Sequence, residues 1–173
     1  MSLRQDDHGI AAGEQGTGAE RPRREFLTCR LGDESYGIDI LQVQEIREIE
    51  GVTRVPHVAR FVRGVINLRG AIVPVVDLGL MFGFPDPIAL QGASVIVLNA
   101  ERRLIGLIVG SVSDVIALAE DEILPAPELG DRAVGAAIAG IASRRDAVGE
   151  GGAASILLLD VDHLLRRIRE DRE

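Results

Sequence analysis

Apolar and polar positions alternate most clearly in FLTCRL (residues 26–31) and YGIDI (36–40), on either side of the polar stretch Gly32-Asp33-Glu34-Ser35. Side chains two apart share a strand face, so this pattern predicts a hairpin of two short strands. In RGVINLRGAIVPVVD (63–77), two β-branched runs flank Asn67-Leu68-Arg69-Gly70. Asn and Gly tolerate the backbone angles of a tight turn, so a second hairpin is expected, with Arg69 at its mouth. Pro74 has no N–H to give to a ladder, which places its strand at an edge or at a bend. SVIVLN (94–99) and LIGLIVG (104–110), joined through Ala100-Glu101-Arg102-Arg103, predict a third hairpin. Further strands are expected over 112–118 and 155–161, with a short apolar run at 138–141.

Helical spacing is rarer. DILQVQEIREI (39–49) fits one or two helical turns through Ile40, Leu41, Val43 and Ile46, and it also alternates as a strand. The expectation is a short helix running into a strand, with Val43 and Glu45 on one face of the strand half. A helical turn is expected over 78–82. A longer helix is expected over 162–169, capped by an acidic residue, with Leu164, Leu165 and Ile168 on one side. Residues 83–92, with Pro85 and Pro87, are expected to form a hinge loop between two halves. Short strands at fairly even intervals and few long helices predict an all-β barrel or sandwich, and two hairpin-rich halves suggest two small barrels. Residues 1–24 hold almost no large apolar side chains and are expected to form a disordered tail, with a second short tail at 170–173.

Composition narrows the function classes. The chain has 173 residues, 46% of them hydrophobic, enough for one ordinary domain or two small halves with a common core. Aromatics are 3%, Trp is absent and the net charge is −8. A nucleic-acid binder needs a basic surface and often stacking platforms, so that class is set aside. The single cysteine, Cys29, has no internal disulfide partner and sits in an alternating strand, which fits a packed position in a reducing compartment. No apolar run approaches the roughly eighteen residues of a membrane span, and the N-terminus lacks a signal-peptide pattern. A cytoplasmic protein without direct membrane insertion is expected.

Candidate chemistry is sparse. His8, His57 and His163 have no metal-like spacing to Cys or to one another. No nucleophile elbow, P-loop or dinucleotide fingerprint occurs. Acidic pairs occur at Asp33 and Glu34, at Glu120 to Glu122, and at Asp160 and Asp162, but acidic turn residues in an acidic chain are ordinarily solvated. Neither catalysis, a metal nor a cofactor is expected.

The order of segments resembles a known family. YGIDILQVQEI, GVINLRGAIVPVVDL and VSDV, together with FLTCRL, LPAPELG and ILLLDVDHLL, resemble the CheW-like domain of bacterial chemotaxis coupling proteins over about residues 25–166. The resemblance implies two five-stranded SH3-like barrels packed on a common apolar core, spanning 25–169 with the C-terminal helix. It also implies a non-catalytic adaptor that joins the cytoplasmic tips of methyl-accepting chemotaxis receptors to the regulatory domain of the histidine kinase CheA. The family's receptor-contacting positions, carried over by motif, fall on Val43, Glu45, Asn67, Leu68 and Arg69. Contacts with the kinase or within rings fall on Leu124 and Leu129. Many relatives carry arginine where this chain has Leu124, a basic residue where it has Gly79, and a shorter turn than 144–152.

Alternatives stay open for Arg69: a solvated turn cation, an internal pair with Glu45 or Asp77 that holds the two barrels, or a receptor contact. They stay open for the pathway too, since the same domain serves pilus motility or second-messenger control. A small enzyme using surface carboxylates is the remaining reading.

Overall fold

The computed structural model describes residues 22–126, 137–144 and 154–171. Residues 1–21 of the expected tail over 1–24, Leu129, and residues 145–152 of the expected 144–152 insert lie outside them; Arg23 and Arg24, the end of the expected tail, instead open β1. Among the described residues, strands dominate and fall into two sheets.

The first sheet holds β1 (Arg23–Leu31), β2 (Glu34–Asp39), β8 (Ser111–Ala119), β9 (Ile123–Pro125), β10 (Ile138–Arg144) and β11 (Ala154–Leu159), in the order β8-β1-β2-β11-β10-β9. Its two edge strands, β8 and β9, are one stretch of chain bent at a 3-10 turn, Glu120–Glu122. The sheet therefore returns on itself, and its six strands trace five strand paths.

The second sheet holds β3 (Val43–Glu48), β4 (Val62–Leu68), β5 (Ala71–Asp77), β6 (Ser94–Ala100) and β7 (Arg103–Val109), in the order β3-β6-β7-β5-β4. Beyond β3, Thr53 exchanges two backbone hydrogen bonds of 2.9 Å with Val65 of β4. That bridge links the two edges of this sheet. It needs a glycine at 64, because a Cβ there would lie 2.1 Å from the Thr53 carbonyl oxygen, at a φ of +142°.

The three expected hairpins form, as do β8, β11 and the turn α1 (Leu78–Met81). The ambiguous 39–49 stretch is a 3-10 turn, Ile40–Gln42, running into β3. The helix α2 spans Val161–Glu170, one residue beyond each bound of the expected 162–169, and its cap is Asp160, whose carboxylate accepts from the His163 N–H. Pro74 sits opposite Val65, whose N–H donates to Thr53 and not to β5. The pair is thus of the non-bonded kind, and the proline's missing donor faces away from β4. Because β5 meets β7 only from Val75 onward, Pro74 is locally on an edge, as its chemistry requires.

Two expectations need correction. Residues 83–92 connect β5 to β6 within one sheet, so the chain does not change halves there; it crosses between sheets at the Ile40–Gln42 turn and at Gly110. The hairpin texture on either side of the prolines could not reveal that both hairpins belong to one sheet. Likewise, Val43 and Glu45 do not share a strand face. Val43 pairs with Leu98 and Glu45 with the neighbouring Val97, because a bulge between them breaks the alternation.

Three apolar clusters result. Ile66, Leu68, Val73, Val75, Val95 and Val97 pack inside the second sheet, and Phe26, Leu118, Ile156 and Leu158 inside the first. The largest lies between the sheets and takes Cys29, Tyr36 and Ile38 from one, Ile96, Leu98 and Leu107 from the other, and Leu164, Leu165 and Ile168 from α2. No helix among the described residues is long and apolar enough to cross a membrane.

Candidate functional site

Arg69 stands at the tip of the β4–β5 hairpin with a φ of +50°, followed by Gly70 at +87°. The Asn67 side-chain oxygen accepts from the Gly70 N–H at 2.9 Å, which closes the turn. Asn or Gly takes a left-handed position at lower cost than arginine, so backbone preference does not explain Arg69. Its side chain does something else. The guanidinium donates to the Glu45 carboxylate on β3, across the open end of the second sheet. Arg47 adds a second cation 3.7 Å from the same carboxylate. Arg69 remains 67% exposed and Glu45 21%, so the pair is presented to solvent and not buried between the barrels.

The structure thus brings two of the five receptor candidates into contact from positions 24 apart in the chain. The pair lies within one sheet, so it does not join the two barrels. Asn67 shapes the turn. Val43 is half-buried against the common core. Leu68 is 2% exposed inside the second sheet, so its side chain is core and offers nothing to a partner. Alternation explains the difference: Leu68 lies one residue from Arg69 and on the inner face. Of the kinase or ring candidates, Leu124 is 58% exposed on the short edge strand β9.

Asp77, one of the two alternative partners considered for Arg69, pairs instead with Arg63. Its carboxylate is fully buried and accepts from Arg63 at 3.0 Å, from the Ile88 N–H at 2.8 Å and from the Leu80 N–H at 2.9 Å. Arg63 also donates to the Ile88 carbonyl. This knot ties the 83–92 segment to the start of α1 and is structural.

Sequence reading passed over another cluster. Glu101 and Arg102 form the β6–β7 turn with φ of +50° and +63°, and Glu101 accepts from Arg169 of α2. That hydrogen bond, with the charges of Arg169, Arg103 and Arg166, holds the Glu101 carboxyl below the usual carboxylate range. The visible signal was a two-residue turn made of charged residues where Asn-Gly is the favoured pair.

Nucleophilic chemistry finds little footing among the described residues. Burial pushes the Cys29 thiol up to about 12, and burial with the Glu34 hydrogen bond raises the Tyr36 hydroxyl further. A thiol so held stays protonated. No described group of three or more His, Cys, Asp or Glu side chains is placed to hold a metal.

Comparison with known proteins gives a consistent answer. The family model described as "CheW-like domain" matches residues 25–169. A chemotaxis protein CheW of Klebsiella aerogenes is 41% identical over 142 residues, covering 82% of this chain and 81% of that protein. Protein FrzA of Myxococcus xanthus is 26% identical over 150 residues, covering 87% and 90%. The crystal structure of the scaffolding protein TtCheW from Thermoanaerobacter tengcongensis superposes with a TM-score of 0.71 at 30% identity, covering 80% of this chain and 90% of that one. With its two sheets on a common core and a family match running from β1 to α2, this chain belongs to the CheW-like domain family.

Proposed function

We propose that this chain is a non-catalytic adaptor of bacterial chemosensory signalling, which couples methyl-accepting receptors to the regulatory domain of the histidine kinase CheA. Family membership supports the adaptor class, and the 41% identity to a chemotaxis protein CheW favours the chemotaxis pathway over its non-flagellar counterparts. One observation carries the receptor contact: the exposed Arg69–Glu45 pair, formed by residues that the family motif selects and that turn chemistry does not require.

An adaptor that transmits a signal needs two separate surfaces on one rigid body, so that a ligand on one can bias the other. Arg69, Glu45 and Val43 lie on the second sheet, and Leu124 lies on the first. The receptor face centres on the Glu45–Arg69 pair, which would set the register of a receptor helical hairpin by charge-assisted bonds, while Val43, on the other face of β3, contributes at its margin. The kinase or ring face centres on Leu124, with Leu129 beyond the described residues. The site of action is cytoplasmic, at membrane receptor arrays.

The test is a pull-down of the purified chain against a receptor-tip fragment and, separately, the kinase regulatory domain. Both are expected to bind. Arg69→Glu is expected to lose the receptor fragment and keep the kinase domain, and Leu124→Asp the reverse. Failure of the wild-type chain to bind either partner would sink the adaptor reading; retention of the receptor fragment by Arg69→Glu removes only this residue from the site.

A further inference from the structure

β5 and β7 run parallel but pair only over residues 75–77 and 106–108. Before that point they splay, each beginning at a hairpin tip. The wedge between them is a groove of about 540 Å³, walled by Ile72, Pro74 and Leu104 and floored by Leu165 and Ile168 of α2. Ile72 is 65% exposed at its edge, whereas Leu165 and Ile168 are 4% and 2% exposed beneath it.

Its mouth is cationic in a chain of net charge −8. Arg102, Arg103 and Arg169 line it, and Arg169 is already occupied by Glu101. Arg102 and Arg103 are in no ion pair among the described residues. The Glu101–Arg169 contact pins the hairpin tip to α2 and leaves Arg102 and Arg103 at the opening without a close ion-pair partner among the described residues, Arg103 acting on Glu101 only through its charge.

Backbone groups face the wedge as well. Leu68 and Ala71 flank one two-residue turn, and Ala100 and Arg103 the other. In such hairpins the flanking pair is hydrogen-bonded and the next pair is not, so the N–H and C=O of Ile72 and of Leu104 point away from β4 and β6. The Val65 N–H, which donates to Thr53, marks the same alternation two residues further along.

We propose that this groove receives an extended, acidic segment of a partner protein. Its backbone adds to the free sides of Ile72 and Leu104, one large apolar side chain sits over Leu165 and Ile168, and its carboxylates meet Arg102 and Arg103. An extended occupant follows from the strand edges, and an acidic one from a mouth lined by three arginines of which only Arg169 is in a close ion pair. Neither Arg69 nor Glu45 lines the groove, which begins at Ala71 on the same hairpin and so adjoins the receptor contact proposed above without including its ion pair.

The experiment is fluorescence anisotropy of the full chain with short labelled peptides of Thr, Val, Asp and Glu around a central Leu. Saturable binding is expected, weakening with salt. Replacing the peptide's acids by Lys, or its Leu by Ser, is expected to weaken binding at least about tenfold, as is Arg102→Glu with Arg103→Glu. Arg102→Lys with Arg103→Lys should retain most of it. On the wild-type chain, amide shifts on adding the acidic peptide should centre on Ile72 and Val73, on 103–105 and on 165–169. Absence of saturable binding, binding indifferent to the charge reversal, or shifts centred elsewhere overturns the proposal. So does a dimer in sedimentation that the charge reversal abolishes, because it assigns the groove to a second copy of this chain.

Discussion

Arg69 and Arg63 lie on one hairpin and illustrate two roles for an arginine–carboxylate pair. The Arg69–Glu45 pair is exposed, and such pairs add only about 0–1 kcal/mol to stability. Arg69→Ala is therefore expected to leave the melting temperature nearly unchanged in a thermal scan. A large loss of stability would show that the pair is structural. Arg63 shields a carboxylate that is fully buried. Removing it by Arg63→Ala strands that charge, for a loss of about 3–5 kcal/mol in urea unfolding. The buried Cys29 thiol adds a pH dependence whose sign is fixed by its raised pKa. Folded protein holds this proton more tightly than unfolded protein, so its contribution is complete below pH 9 and is lost as pH rises from about 9 towards about 12. Over that window one such group lowers stability by about 1.4 kcal/mol per pH unit. Cys29→Ala should flatten this slope in alkaline unfolding curves, with Tyr36 supplying what remains. A slope unchanged by the substitution would contradict the assignment.

At the scale of elements, hairpins were legible because their signals are local: alternating apolar runs and turn residues lie within fifteen positions of one another in RGVINLRGAIVPVVD. What joins hairpins into sheets was not. Parallel pairing of β5 with β7 and of β2 with β11 depends on residues far apart in the chain, and no periodicity encodes it. The same gap misplaced the hinge at 83–92 and hid the bulge that separates Val43 from Glu45. At the candidate site, the motif located Arg69 and Glu45, but only the closure of the second sheet shows that they touch. It also shows that Leu68, beside them in the chain, is core. That closure rests on Gly64, whose backbone is left-handed and crowded by Thr53. Gly64→Ala should break the Thr53–Val65 bridge, destabilise the protein by about 3 kcal/mol or more and expose the Val65 amide to hydrogen exchange. Protection of that amide in a fully folded variant would show that the sheet closes by other means.

For the molecule as a whole, the distribution of apolar side chains decides how the two sheets behave together. Each sheet encloses a small cluster, while the largest cluster lies between them and includes α2. Neither barrel could be exposed alone without opening that common core, so the fold should unfold as one cooperative unit. Connectivity reinforces this, since the first sheet contains both the first and the last strand of the described chain and the second sheet is the excursion between β2 and β8. Leu164 offers a direct test, being 1% exposed on α2 in the common core and outside both small clusters. Leu164→Ala should cost about 2–5 kcal/mol. In native-state hydrogen exchange, the slowest amides of β5 and of β10 should lose the same increment of protection, because both exchange through one global opening. If β5 amides lost protection while those of β10 kept theirs, the two sheets would be separate folding units, and a rigid body linking two binding faces would no longer describe the chain.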